Sequence, residues 1–155
     1  IVQYPHYPDL VSEMVEICKE EMEHFDMVHK KILERGFRMG FERKDPYVKD
    51  LSNYLKQKHD NSSRESHFVN QMLFAAMIEA RSCERFKILS QQLKDEDLKS
   101  FYKMLMRSEA RHFMTFLKFA KKYSSAIDVD ARWKLFLEFE AGLMEKYGKE
   151  QTMHG

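Results

Sequence analysis

Two short motifs carry the clearest chemistry in this chain: Glu21-x-x-His24 and Glu109-x-x-His112. On a helix, residues three apart share a face one turn apart, so a carboxylate and an imidazole at this spacing can hold one ion. Two such helices, joined by glutamates from others, build a carboxylate-bridged two-metal site in a bundle core. A lone copy would mean little, because glutamate is common on solvated faces. The flanking residues give these copies weight. In a heptad register one segment reads Leu10, Met14, Ile17, Glu21, His24, Val28, and another Met72, Ala75, Glu79, Ser82, Phe86, Leu89. A third reads Leu98, Tyr102, Leu105, Glu109, His112, Phe116, Phe119. Each stripe is mainly apolar and is broken near its middle by a carboxylate. Unpaired carboxylates in a core are costly, so three at one depth need a common partner, and a pair of divalent metals is an economical one. Carboxylate and imidazole donors without thiolate suit iron or manganese better than structural zinc. Glu16, Glu20 and Glu23 fall off the stripe and read as a solvated face, while His6, His29, His59, His67 and His154 read as surface.

The elements that must position these residues are marked by their own ends. Pro8 suits a first helical position, and the helical pattern runs from there to Arg35, with Gly36 as a left-handed cap. A shorter helix is expected from Asp45-Pro46 to near Lys58, and Ser62-Ser63-Arg64-Glu65 offers a capping box for the next, which runs to about Leu93. Asp95 caps a helix to about Tyr123, and Asp128 caps a last one to about Tyr147, before Gly148. With only 5 Gly and 3 Pro and little strand-type alternation, the expected fold is all-α: an antiparallel bundle of long helices with one or two shorter ones.

A chain of 155 residues suits one domain, here 1–155. Because it opens Ile1-Val2-Gln3-Tyr4-Pro5 without a Met, that domain is expected to be incomplete at its N-terminus. The net charge of +1 announces no global nucleic-acid binder, so any basic surface must be local. Cys18 and Cys83 form no CxxC or zinc pattern, which fits a reduced cytoplasmic setting. No apolar run is long enough to span a membrane, and no signal peptide is visible.

The strings Ile78-Glu79-Ala80-Arg81-Ser82-Cys83-Glu84-Arg85-Phe86 and Leu105-Met106-Arg107-Ser108-Glu109-Ala110-Arg111-His112-Phe113 are more specific than metal spacing alone. With Glu20-Glu21-Met22-Glu23-His24-Phe25 upstream, the chain resembles the bacterial MiaE-like tRNA hydroxylases from about Tyr4 to Tyr147. The resemblance implies a ferritin-like di-iron monooxygenase that hydroxylates the isopentenyl group of 2-methylthio-isopentenyladenosine beside the anticodon, with O2 as co-substrate. It makes Glu21 and Glu109 the bridging, catalytic carboxylates. It gives His24 to one iron and His112 to the other, with Glu79 the terminal carboxylate on the His112 iron. A further family glutamate, on the opening helix, has no counterpart here, so the His24 iron is expected to lack its terminal carboxylate.

With no flavin or iron–sulfur motif in the chain, electrons are expected from an external reductase, and the substrate is tRNA. Arg38, Arg43, Lys44, Lys49, Lys56 and Lys58 are local candidates for phosphate contact, opposed by Glu42, Asp45 and Asp50. Ala75, Ala76, Ala80 and Ser82 leave room beside Glu79, or simply allow close helix packing. Some of Arg81, Arg85, Arg107 and Arg111 are expected to steady the metal carboxylates. Two rivals share the scaffold: a ferroxidase or peroxide scavenger, and a non-catalytic bundle that docks tRNA.

Overall fold

Five helices supply all the regular secondary structure among the residues that this computed structural model describes, 3–41, 44–58 and 63–147. They are α1 (Pro8–Glu34), α2 (Pro46–Lys58), α3 (Arg64–Gln92), α4 (Glu96–Lys122) and α5 (Val129–Tyr147). The chain forms two compact units, Ile1–Glu42 and Arg43–Gly155.

The first unit is essentially α1. It starts on Pro8, whose missing N–H would be unsatisfied in a first turn anyway. It stops where expected: Arg35 is the C-cap and Gly36 adopts φ +75. The Gly36 N–H donates to the Leu33 carbonyl (2.9 Å) and the Phe37 N–H to the Ile32 carbonyl (3.1 Å), the paired bonds of a Schellman end. The covered face departs from the heptad stripe. Leu10 and Ile17 are buried and Met14 and His24 half-covered, as the stripe has it, but Glu21 and Val28 are exposed, while Val11, Glu20, Met27, His29, Lys31 and Ile32 are half-covered off the stripe.

The second unit is built on α3 and α4. Only Leu93–Asp95 joins them, a connection short enough to force antiparallel neighbours. Phe68, Leu73 and Met77 of α3 and Leu105, Phe116 and Phe119 of α4 are all buried, each worth about 1.5–3 kcal/mol when fully withdrawn from water. Tyr47, Leu51 and Leu55 of α2 and Phe136 and Leu143 of α5 extend this core. The Tyr54 ring stacks on Phe139 at 3.9 Å between centroids and ties α2 to α5.

The caps hold with one correction. Asp95 Oδ1 accepts from the Asp97 and Leu98 N–H groups, Asp128 Oδ1 from Ala131, and Asp45 Oδ1 from Val48. At α3 the N-cap is Ser63, whose Oγ accepts from the Ser66 N–H at 3.0 Å, while Ser62 lies outside the described residues. The expected capping box with Glu65 therefore falls outside the description as well. The Glu65 carboxylate reaches the α4–α5 turn, accepting from the N–H groups of Ser125 (2.6 Å) and Ala126 (2.8 Å) and from Ser124 Oγ (3.0 Å). Nearby, Arg132 of α5 donates to Ser66 Oγ and Asn70 Oδ1, satisfying two buried polar groups of α3.

Candidate metal centre

The second unit brings Glu79, Glu109 and His112 together. Glu109 and His112 sit one turn apart on the buried face of α4, 5% and 1% exposed, between Leu105 and Phe116. Glu79 projects from α3, half-buried. Each offers one ligand atom, and these atoms lie within 4.8 Å of one another. His112 Nδ1 stands 3.9 Å from Glu79 Oε2, too far for a direct hydrogen bond. Two donors each ~2.1 Å from a shared ion stand ~3–4 Å apart. The spacing and the oxygen–nitrogen donor set therefore fit a divalent cation such as iron or manganese.

In the first unit, the other motif is formed as well. His24 Nδ1 lies 3.3 Å from Glu21 Oε1 across one turn of α1, again in the range for donors sharing an ion. The two differ in cover: the His24 side chain is 14% exposed and that of Glu21 45%. The carboxylates expected at one depth thus differ in cover, Glu21 being exposed and Glu109 buried.

Burial first, and then the negative charge of Glu109, push the thiol of Cys83 on α3 above its ordinary value. Beside Glu79, Ala76 and Ser82 are buried, and Ala75 and Ala80 half-buried.

Arg81 does not serve the metal carboxylates as expected. It pairs with Glu84, one turn on, and its Nε lies 3.4 Å from Glu140 Oε1 on α5. Glu140 is itself buried and accepts a hydrogen bond from the fully buried Tyr47 hydroxyl of α2 at 3.1 Å. Burial, then the charge of Glu140, raise the Tyr47 hydroxyl far above its ordinary value, so it stays a donor. Sequence reasoning missed Glu140. The signal was there: Val129, Trp133, Phe136, Glu140, Leu143 and Tyr147 form the same kind of interrupted stripe. Arg107 and Arg111 are exposed, and Arg111 donates to Ser108 Oγ. Arg85 is half-buried, and that burial lowers its affinity for the proton.

Among the other expected residues, His6 and His67 are exposed and His29 is half-covered, while His59 and His154 lie outside the described residues. Arg38, Lys44, Lys49 and Lys56 are exposed; Arg43 and the Lys58 side chain lie outside the description. No helix among the described residues is long and apolar enough to cross a membrane.

Comparison with known proteins gives this arrangement its context. The family model described as tRNA-(MS[2]IO[6]A)-hydroxylase (MiaE) matches residues 1–155. A tRNA 2-(methylsulfanyl)-N(6)-isopentenyladenosine(37) hydroxylase of Salmonella typhimurium is 38% identical over 148 residues, which are 94% of this chain and 51% of that protein. One of the same name from Pseudomonas putida is 30% identical over 154 residues, 99% of this chain and 72% of that protein. The chain thus spans about half the length of the first relative and under three quarters of the second. Among solved structures, "Protein 43 with aldehyde deformylating oxygenase activity" from Synechococcus is similar with a TM-score of 0.86 and 25% identity, over 99% of this chain and 76% of that one.

Proposed function

Since the chain belongs to the MiaE family of tRNA-(MS[2]IO[6]A)-hydroxylases, we propose that it hydroxylates the isopentenyl group of 2-methylthio-isopentenyladenosine next to the anticodon of tRNA. The observation that carries the reading is the buried Glu109–His112 pair facing Glu79 inside a helical core. In this reading Glu79, Glu109 and His112 would hold iron together with Glu21 and His24, with Glu21 and Glu109 as the carboxylates shared between the metals. Bound there, iron supplies the activation of O2 that a C–H bond without a polar neighbour requires. The balance takes one oxygen atom into the C–H bond and releases the other as water, at the expense of two electrons and two protons. A separate reductase provides the electrons, as nothing in the sequence suggests a flavin or iron–sulfur centre.

The chain's own residues do the holding and the shielding. Leu105 and Phe116, a turn to either side, keep water from Glu109 and His112. Ala76 and Ser82 leave α3 slim next to Glu79. The Arg81–Glu140–Tyr47 contacts fix α3 against α5 and α2, and so set the height of Glu79, two residues from Arg81. A tRNA substrate places the protein in the cytoplasm.

Analysis of tRNA nucleosides from cells with and without the gene tests the reading. The hydroxylated prenyladenosine should disappear with the gene and return on complementation. An unchanged ratio of hydroxylated to unhydroxylated nucleoside would reject it.

A further inference from the structure

Residues 33–41 place large apolar side chains in water where the first unit has no use for them. Leu33 is 52% exposed, Phe37 67%, Met39 56% and Phe41 fully so. Single exposed apolar residues are ordinary on a protein surface; a run of them on one loop marks a contact surface. The loop is also basic. From Arg35 to Phe41 it carries two arginines and no acid. Upstream, Lys30 is paired with Asp26 and Lys31 with Glu34, whereas Arg38 is exposed and forms no ion pair among the described residues. The geometry that presents the loop is local. Gly36, in its left-handed conformation, turns the chain off the end of α1, and Phe37 and everything after it leave the helix.

Aromatic rings alternating with a guanidinium, free of acid, match the chemistry of an unpaired RNA strand. Every base offers a flat face for stacking, and the backbone carries one negative charge per nucleotide. We propose that the loop of residues 36–41 is a stacking platform for unpaired bases of the RNA substrate, with Phe37 and Phe41 against base faces and Arg38 at a phosphate. The inference rests on the tRNA reading above and deepens it by naming the surface that grips the splayed anticodon loop. The loop's composition selects the occupant: two exposed rings with an exposed guanidinium suit the base faces and phosphates of an unpaired strand.

Binding of an anticodon stem–loop RNA, and of a fully paired RNA of equal length, to the whole chain tests this by fluorescence anisotropy across a salt series. Phe37→Ala and Phe41→Ala should each weaken stem–loop binding by about tenfold, the scale of one lost base stack, and leave the paired RNA unaffected. Phe41→Trp should bind as the parent does. Arg38→Ala should lower the slope of log K against log salt by about 0.7, one single-strand phosphate's worth. Alanine variants that bind the stem–loop like the parent would overturn the platform while leaving the hydroxylase reading intact. Equal loss for both RNAs would overturn it too, because stacking would not be what was lost. If Phe41→Ala dissolves a self-association seen in sedimentation and leaves RNA affinity untouched, the patch is a self-interface and the proposal fails. A parent chain that binds no stem–loop removes the inference and the tRNA reading together, a result distinct from all of these. The substituted side chains are exposed and outside any helix, so the far-ultraviolet dichroism should be unchanged throughout.

Discussion

Glu109 is the most demanding residue in the chain, because a carboxylate only 5% exposed and flanked by Leu105 and Phe116 needs compensation for its lost hydration. Replacing it tests what provides that compensation. Glu109→Ala should lose bound iron, as measured by metal analysis of purified protein with the fold intact by dichroism; retained iron would show that the bridge lies elsewhere. Glu140 is equally buried but is answered by protein groups alone, Arg81 and the Tyr47 hydroxyl. Tyr47→Phe removes one hydrogen bond to a charged acceptor without changing the shape of the core, and should cost about 1.5–3 kcal/mol in urea unfolding while leaving iron content unchanged. A variant as stable as the parent would mean that Arg81 suffices for Glu140. Both carboxylates interrupt an apolar heptad stripe, yet only Glu109 was legible in the sequence. It has a histidine one turn on, and Glu140 has none. The partners of Glu140 stand 59 and 93 positions upstream, and no local pattern reports that.

At the scale of the helices, ends were readable and faces less so. Gly36, Asp45, Asp95 and Asp128 act where expected because capping is chemistry within a few residues of the backbone it serves. Glu65 also acts far from its own helix, at the α4–α5 turn. That contact has a pH signature. Hydrogen bonds from the Ala126 and then the Ser125 N–H hold the Glu65 carboxyl below its ordinary range. A group depressed in the folded state contributes its full stabilisation above its unfolded value and loses it as the pH falls through the folded one. Amide exchange at Ser125 and Ala126 should therefore be protected at neutral pH and released in acid. Glu65→Gln should remove the acid dependence of that protection, and an unaltered acid dependence would identify some other group as the one titrating. The face of α1 shows the opposite limit. A heptad register put Glu21 and His24 on one stripe, and the structure leaves the Glu21 side chain 45% exposed and that of His24 14%.

For the molecule as a whole, the expectation of an all-α bundle of long helices is met by five helices and by the similarity to the Synechococcus protein at a TM-score of 0.86. If iron compensates the buried carboxylates, it also belongs to the folding equilibrium. Stripping iron with a chelator under reducing conditions should lower Tm by several degrees, since a ligand at a hundredfold excess over its Kd adds about 2.7 kcal/mol, and added Fe(II) should restore it. An unchanged Tm would mean that Glu79 and Glu109 are satisfied by the protein alone. What the sequence by itself determined was the set of helices, most of their caps, the paired Glu-x-x-His spacing and the family strings around it, because each is written within a few turns of chain. Only the tertiary structure decided which carboxylates are buried, that Arg81 answers Glu140 and that Glu65 clamps a distant turn. Those outcomes depend on which helix face meets another, and residues dozens of positions apart settle them together.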